Sequence, residues 1–162
     1  TPNRVTQPAA FPASALWELT DESAGGYALI KSGTHAETVR VGDVLANRPD
    51  SGDSSWEIGI VRWVRTSGSD NIEIGVQRLS PGAAAVAIMP LEDSQERYYL
   101  ALELPEVHAM KQPATLLTPR GFFKSGRILY LDNSQRARRI RVTKLVELSG
   151  SFERFQYETI DA

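Results

Sequence analysis

Short runs of β-forming residues separated by turn residues make up most of the chain, and this alternation favours an all-β fold. The clearest run covers residues 56–65, in which both alternating faces carry apolar side chains, as in a central or barrel strand. No stretch has the apolar spacing of a helix of about 12 residues or more, although residues 105–111 have room for one helical turn. The other predicted strands cover residues 15–20, 27–31, 39–46, 71–79, 84–89, 98–103, 114–118, 126–131, 138–147 and 152–158. Many short strands with regular turns indicate a barrel or a sandwich.

The length of the chain also bears on how the strands are divided. A chain of 162 residues suits one large domain or two small ones. The turn Ser80-Pro81-Gly82 ends a predicted strand near the middle of the sequence. We therefore predict two small β-barrels, one in residues 1–82 with an extended, proline-containing N-terminal arm, and a second in residues 83–162.

Composition excludes several classes of function. The formal net charge of −2 argues against a protein that binds nucleic acid along its phosphate backbone. The absence of cysteine excludes disulfides, zinc–thiolate sites and thiol catalysis, and is compatible with a cytoplasmic protein. No apolar run approaches the ~20 residues of a membrane helix, and no signal peptide is visible. Because the first residue is not methionine, we expect the sequence to be part of a longer protein.

Residues suited to catalysis do not form a recognisable motif. A serine–histidine–aspartate set of Ser23, His35 and Asp43 lacks the G-x-S-x-G sequence around its serine. Glu103 and Glu106 lie on either side of a proline, which argues against a shared helix face. We therefore predict that the protein is not an enzyme and that it has no cofactor and no metal site.

The segment from Asp21 to Gly26 joins two predicted strands through polar and small residues. Such residues are typical of a hairpin turn. They also suit a loop that holds a small molecule, since Asp21 and Ser23 offer polar groups while Gly25 and Gly26 allow close approach to the backbone. Arg4, the only cation of the N-terminal arm, is a further candidate ligand-binding residue. Both interpretations of the segment remain open at this point.

The first half of the chain resembles the PilZ domain family. Asp21, Ser23 and Gly26 match the family motif D/N-x-S-x-x-G, and residues 41–43, 59–63 and 74–76 resemble the later strands of the family in order and approximate spacing. The resemblance covers residues 1–82. It implies a six-stranded antiparallel barrel that binds cyclic di-GMP, in a bacterial, cytoplasmic signalling module that relays binding to a neighbouring domain or partner protein. For residues 83–162 the prediction is limited to a second, companion β-barrel.

One part of the family pattern is missing. PilZ domains that bind cyclic di-GMP carry an R-x-x-x-R segment before the D-x-S-x-x-G motif, whereas here Arg4 is followed four residues later by Pro8. The arginines either precede Thr1 in the full protein or are absent from this branch. The first alternative function is therefore a degenerate barrel that acts as a protein-interaction scaffold without nucleotide. A β-barrel nucleic-acid binder is a further alternative, which the net charge disfavours.

Two features of the second half allow structural and functional interpretations. Arg136, Arg138, Arg139 and Arg141 predict a solvated edge strand, since charges protect strand edges, or alternatively an anion pocket or a surface for an acidic partner. Phe122-Phe123 is interpreted as a buried pair that caps the second barrel rather than an exposed contact surface.

Overall fold

Eleven β-strands and one three-residue helix form the regular structure in a computed structural model that describes residues 15–33, 39–49, 55–68 and 70–161. The first half contains β1 (Glu18–Glu22), β2 (Gly26–Ser32), β3 (Val44–Asn47), β4 (Glu57–Ser67) and β5 (Asn71–Ser80). The second half contains β6 (Ala84–Pro90), β7 (Tyr99–Leu104), β8 (Thr115–Thr118), β9 (Ile128–Asp132), β10 (Ala137–Leu148) and β11 (Glu153–Asp161), with a 3₁₀ turn at His108–Met110. The all-β prediction is confirmed. Within the described residues, no helix has the length and apolar character that crossing a membrane requires.

The first half folds into an antiparallel sheet with the strand order β1-β2-β5-β4-β3. The predicted strand over residues 39–46 begins only at Val44, because Val41 and Gly42 form a turn. Gly42 has a φ of +94°, a left-handed conformation that favours glycine, and Asp43 Oδ2 closes the turn by accepting a bond from the Arg40 amide at 2.9 Å.

The number of strands in the first half differs from the six that the PilZ resemblance implies. The described residues of this half form five strands, and its end strands β1 and β3 are not paired with each other. Both end strands are short, with five and four residues, and all five residues of β1 are exposed. The described part of the first unit is therefore a sheet with two edges.

The second half closes into a six-stranded barrel with the order β10-β11-β8-β7-β6-β9, as the prediction of a second barrel required. Phe122 packs edge-on against Tyr99 and Phe123 lies 6.0 Å from the ring of Phe155, so the phenylalanine pair is part of the barrel core. The prediction of an edge strand at the arginine cluster is wrong. Strand β10 is paired on both sides, and Arg138 and Arg141 bind the carboxylates of Glu103 and Glu158.

The two halves share an apolar cluster. Its buried members come from both units and are Ile58, Ile60, Leu79, Leu104, Leu117 and Phe152. A hydrogen bond from Ser151 Oγ to the Gly42 carbonyl, at 2.8 Å, also joins the barrel to the sheet. Because the shared core holds the barrel against β4, groups on β4 lie within reach of β10.

Candidate functional site

A cavity of about 270 Å³ opens beside the β1–β2 turn, over the middle of the first sheet. The hairpin supplies one wall, formed by Asp21, Glu22, Ser23, Gly25, Gly26, Tyr27 and Ala28. Strands β4 and β5 supply the rest, formed by Arg62, Trp63, Gly75, Val76 and Gln77. The volume is small and the cavity is open, so a ligand larger than one base would extend beyond it.

The β1–β2 connection is a tight hairpin, as its residues predict. Asp21 and Glu22 belong to β1, so the turn itself is limited to residues 23–25. The Ser23 amide and hydroxyl both donate to the Gly26 carbonyl, at 2.8 and 3.2 Å. Asp21 Oδ1 accepts a bond from the Glu22 amide at 2.9 Å. The turn and the cavity wall are therefore the same structure, and the two interpretations of this segment do not exclude each other.

Arg78 of β5 stabilises the turn through hydrogen bonds. Its Nη1 donates to both carboxylate oxygens of Glu57, at 2.6 and 2.8 Å, and its Nη2 donates to Glu22 at 2.7 Å. Its backbone amide donates to the Gly25 carbonyl at 3.0 Å. The hydrogen bond with Glu57 is the main cause that raises the pKa of the Arg78 guanidinium. Arg78 therefore serves the hairpin and does not line the cavity.

Tyr27 is among the residues that line the cavity, but its ring belongs to the apolar core of the first sheet, with Val61, Ile74 and Val76. Its ring is almost fully buried, and Arg78 lies over it with 5.0 Å between the guanidinium carbon and the ring centre. Its hydroxyl donates to Asn47 Oδ1. Burial, assisted by the charge of Glu57 and opposed by Arg78, raises the pKa of Tyr27 to about 12. The phenol is therefore a neutral hydrogen-bond donor at physiological pH.

Two glycines bring the walls of the cavity close together. A Cβ atom on Gly26 would lie 2.3 Å from the backbone oxygen of Val76, and one on Gly75 would lie 1.9 Å from Nε1 of Trp63. By contrast, a Cβ on Gly25 would meet nothing within 4 Å. Gly26 thus permits the pairing of β2 with β5, and Gly75 permits the indole to lie against β5.

A β-bulge places two consecutive residues of β4 in the same cavity. Val61 pairs with Val76 and Trp63 pairs with Gly75, which leaves Arg62 as the extra residue. Regular alternation would put Arg62 and Trp63 on opposite faces, whereas a bulge re-aims one of them. About two-fifths of the surface of each remains exposed.

The two side chains offer different chemistry. Trp63 presents an aromatic surface of the kind on which a nucleobase stacks. Arg62 donates from Nε to Gln77 Oε1 at 2.6 Å and from Nη2 to Glu147 Oε1 at 2.8 Å. It is the only arginine or lysine among the described residues that line the cavity. The cavity therefore combines carboxylates, an aromatic face and one cation.

The structure brings together four of the five predicted site residues, namely Asp21, Ser23, Gly25 and Gly26. The fifth, Arg4, lies outside the described residues. Sequence reasoning did not select Arg62 and Trp63 as site residues. A signal was present, because residues 59–63 and 74–76 were already grouped with the hairpin through the PilZ resemblance.

The residues considered for catalysis are engaged elsewhere. Ser23 donates to the Gly26 carbonyl, Asp43 accepts from the Arg40 amide, and Glu103 binds Arg138. His35 lies outside the described residues. Among the described side chains, no group of three or more histidine or acidic residues is placed to hold a metal ion.

Comparison with known proteins divides the chain into two matched parts. The family described as "Cyclic-di-GMP receptor FimW, middle PilZ domain" matches residues 4–85, and that described as "FimW C-terminal beta-barrel domain" matches residues 84–160. A curated relative, the cyclic-di-GMP receptor FimW of Pseudomonas aeruginosa strain PAO1, is 28% identical over 153 residues. That alignment covers 93% of this chain and 25% of the relative, so the chain spans about a quarter of the relative's length. No solved structure matches the chain.

Proposed function

Since the chain belongs to the family of the FimW middle PilZ domain, we propose that it is a cyclic-di-GMP receptor module whose ligand site is the cavity beside the β1–β2 turn. The observation that carries the proposal is the position of Asp21, Ser23 and Gly26 on one wall of a cavity whose other wall carries Trp63 and Arg62. The motif that implies the ligand and the groups suited to bind it therefore face the same space.

The chemistry of the walls suits a guanine nucleotide. Guanine presents acceptors at O6 and N7 and a donor at its 2-amino group, and its ring has two stacking faces. Asp21 provides an acceptor for the donor groups, and Trp63 provides a surface for stacking. Arg62 provides paired donors for a phosphate or for the O6/N7 edge. A cyclic dinucleotide exceeds the cavity, so the second base would lie on the surrounding surface, where the N-terminal arm and Arg4 are candidates to cover it.

We further propose that two units, residues 1–82 and 83–162, have different functions. The first unit binds the ligand, and the second relays binding to a neighbouring domain or a partner protein. The apolar cluster that both units share supports a mechanical link between them. The module is non-enzymatic, uses no cofactor and acts in the bacterial cytoplasm.

Removing the motif side chains should weaken ligand binding. We expect Asp21→Ala to lower the affinity for cyclic di-GMP by about 10- to 100-fold, because a hydrogen bond to a charged group contributes roughly 1.5–3 kcal/mol. We expect Ser23→Ala to lower it by about 3- to 10-fold, because its hydroxyl forms a neutral bond within the turn. Isothermal titration calorimetry on the purified chain measures both values.

The barrel offers a matched control for these variants. Asp132 and Ser134 have the same D-x-S spacing in the β9–β10 turn, where the Ser134 amide donates to Asp132 Oδ1 at 2.8 Å, but they do not line the cavity. Asp132→Ala and Ser134→Ala should leave the affinity unchanged. Absence of heat and of a melting-temperature shift at millimolar cyclic di-GMP would reject the receptor function for this chain and favour the scaffold alternative.

A further inference from the structure

We propose that Arg62 binds a phosphate of the ligand in exchange for its ion pair with Glu147, so that an occupied site releases a contact between the first sheet and the barrel. This inference rests on the proposed function and adds to it a phosphate-binding residue and a route to the second unit. It starts from the fact that Arg62 both lines the cavity and bridges the two halves of the chain.

The position of Arg62 makes it available to a ligand. It is the extra residue of the β4 bulge, and 43% of its side-chain surface is exposed. Its Nε and Nη2 have partners in Gln77 and Glu147, whereas its Nη1 forms no hydrogen bond with any described residue. A planar guanidinium with free donors at the edge of a cavity is suited to paired bonds with phosphate.

Binding of an anionic ligand in the cavity also requires a cation. Asp21 and Glu22 both line it, and although Arg78 binds Glu22, no described lining residue other than Arg62 carries a positive charge. A phosphodiester placed beside Asp21 without a cation would meet repulsion from the carboxylate. Arg62 is therefore the group among the described residues that makes anion binding possible here.

Glu147 can release Arg62 because a second cation, Arg154, lies opposite it on the neighbouring strand. In the β10–β11 ladder, Glu147 pairs with Arg154, which is almost fully buried and donates from Nε to Thr115 Oγ1 at 3.0 Å. The charge of Glu147 interacts with Arg154 and opposes the effect of burial, which lowers the pKa of Arg154. When Arg62 turns to a ligand, Glu147 still has the charge of Arg154 beside it.

The energies of the two contacts favour the exchange. An exposed ion pair such as Arg62–Glu147 changes the equilibrium constant between its open and closed forms by about fivefold or less. Paired charge-assisted bonds between an arginine and a phosphate raise the binding constant of the phosphate by roughly 10- to 100-fold or more. The ligand therefore displaces Glu147. By linkage, the factor by which the ion pair lowers the affinity for the ligand equals the factor by which the bound ligand weakens the ion pair.

A double-mutant cycle on the whole chain tests the exchange, with cyclic di-GMP as the probe and calorimetry as the readout. Arg62→Ala should weaken binding by about 10- to 100-fold, and Arg62→Lys, which keeps a point charge, by less. Glu147→Gln should tighten binding by about two- to fivefold, because it frees Arg62. In the double variant R62A/E147Q the gain from Glu147→Gln should disappear.

A second ion pair on the barrel provides the control. Arg141 and Glu158 lie 2.8 Å apart, Arg141 is about as exposed as Arg62, and neither residue lines the cavity. Arg141→Ala and Glu158→Gln should leave the affinity unchanged, and circular dichroism melting identifies any variant that fails to fold. Wild-type affinity in both Arg62→Ala and Arg62→Lys, or equal tightening by Glu147→Gln with and without Arg62, would overturn this inference alone. Loss of binding in Asp21→Ala with retention in Arg62→Ala would do the same, whereas no binding by the wild type rejects the receptor function as well.

Discussion

Gly26→Ala is expected to weaken cyclic-di-GMP binding by about 100-fold or more, while Gly25→Ala, at the neighbouring residue of the hairpin, weakens it by less than about tenfold, because its Cβ meets no protein atom and can only crowd the ligand. The added Cβ at Gly26 would lie 2.3 Å from the Val76 backbone oxygen, a distance that non-bonded atoms do not adopt. Because the obstacle is backbone rather than a flexible side chain, β2 and β5 must separate where Gly26 pairs with Gln77. That separation moves the turn away from Arg62 and Trp63.

Titration and thermal unfolding of the two alanine variants separate the effect on the site from a general loss of folding. The strand distortion should also destabilise the Gly26 variant by about 1–3 kcal/mol, whereas the open surroundings of Gly25 predict little change. Binding is therefore compared at a temperature where both variants are folded. Equal affinities for the two variants would mean that the close approach of β2 to β5 does not shape the site.

Much of the fold follows from local sequence. Alternating apolar residues and turn chemistry predict the strands of both halves, because side chains on a strand alternate between two faces and turn residues interrupt the alternation. The start of β3 shows the limit of this reasoning. Val39 and Val41 have the composition of a strand, but the left-handed conformation of Gly42 and the bond between Arg40 and Asp43 give the backbone a turn instead.

The candidate site was predictable only on its hairpin wall. Asp21, Ser23 and Gly26 are close in sequence, so their motif and their turn chemistry are visible without a structure. The wall formed by Arg62 and Trp63 depends on a bulge between β4 and β5, and a bulge depends on how two strands pair. Strict alternation assigns these two residues to opposite faces, which is why sequence reasoning did not place them together.

Glu153→Ala is expected to destabilise the chain by about 3–5 kcal/mol, the largest effect on stability that we predict. The Glu153 carboxylate is buried and accepts three backbone hydrogen bonds, from Gly121 at 2.8 Å, Phe122 at 3.0 Å and Phe123 at 2.6 Å. Removing it leaves three amides without this acceptor, that of Phe122 in the interior and those of Gly121 and Phe123 partly buried. The same amides position Phe122 against Tyr99, so the core of the barrel loosens as well.

Urea unfolding of Glu153→Ala, Glu153→Gln and Glu158→Ala measures this effect. Glu153→Gln keeps one acceptor oxygen and should fall between wild type and alanine, whereas Glu158, an exposed residue of the same strand, should change stability by about 0.5 kcal/mol or less. The sheet and the barrel share an apolar cluster that includes Phe152, the neighbour of Glu153. We therefore expect both halves to unfold in one transition, so that the lower free energy of unfolding is seen in each half. A loss below about 1 kcal/mol in Glu153→Ala would mean that water replaces the carboxylate at the three amides.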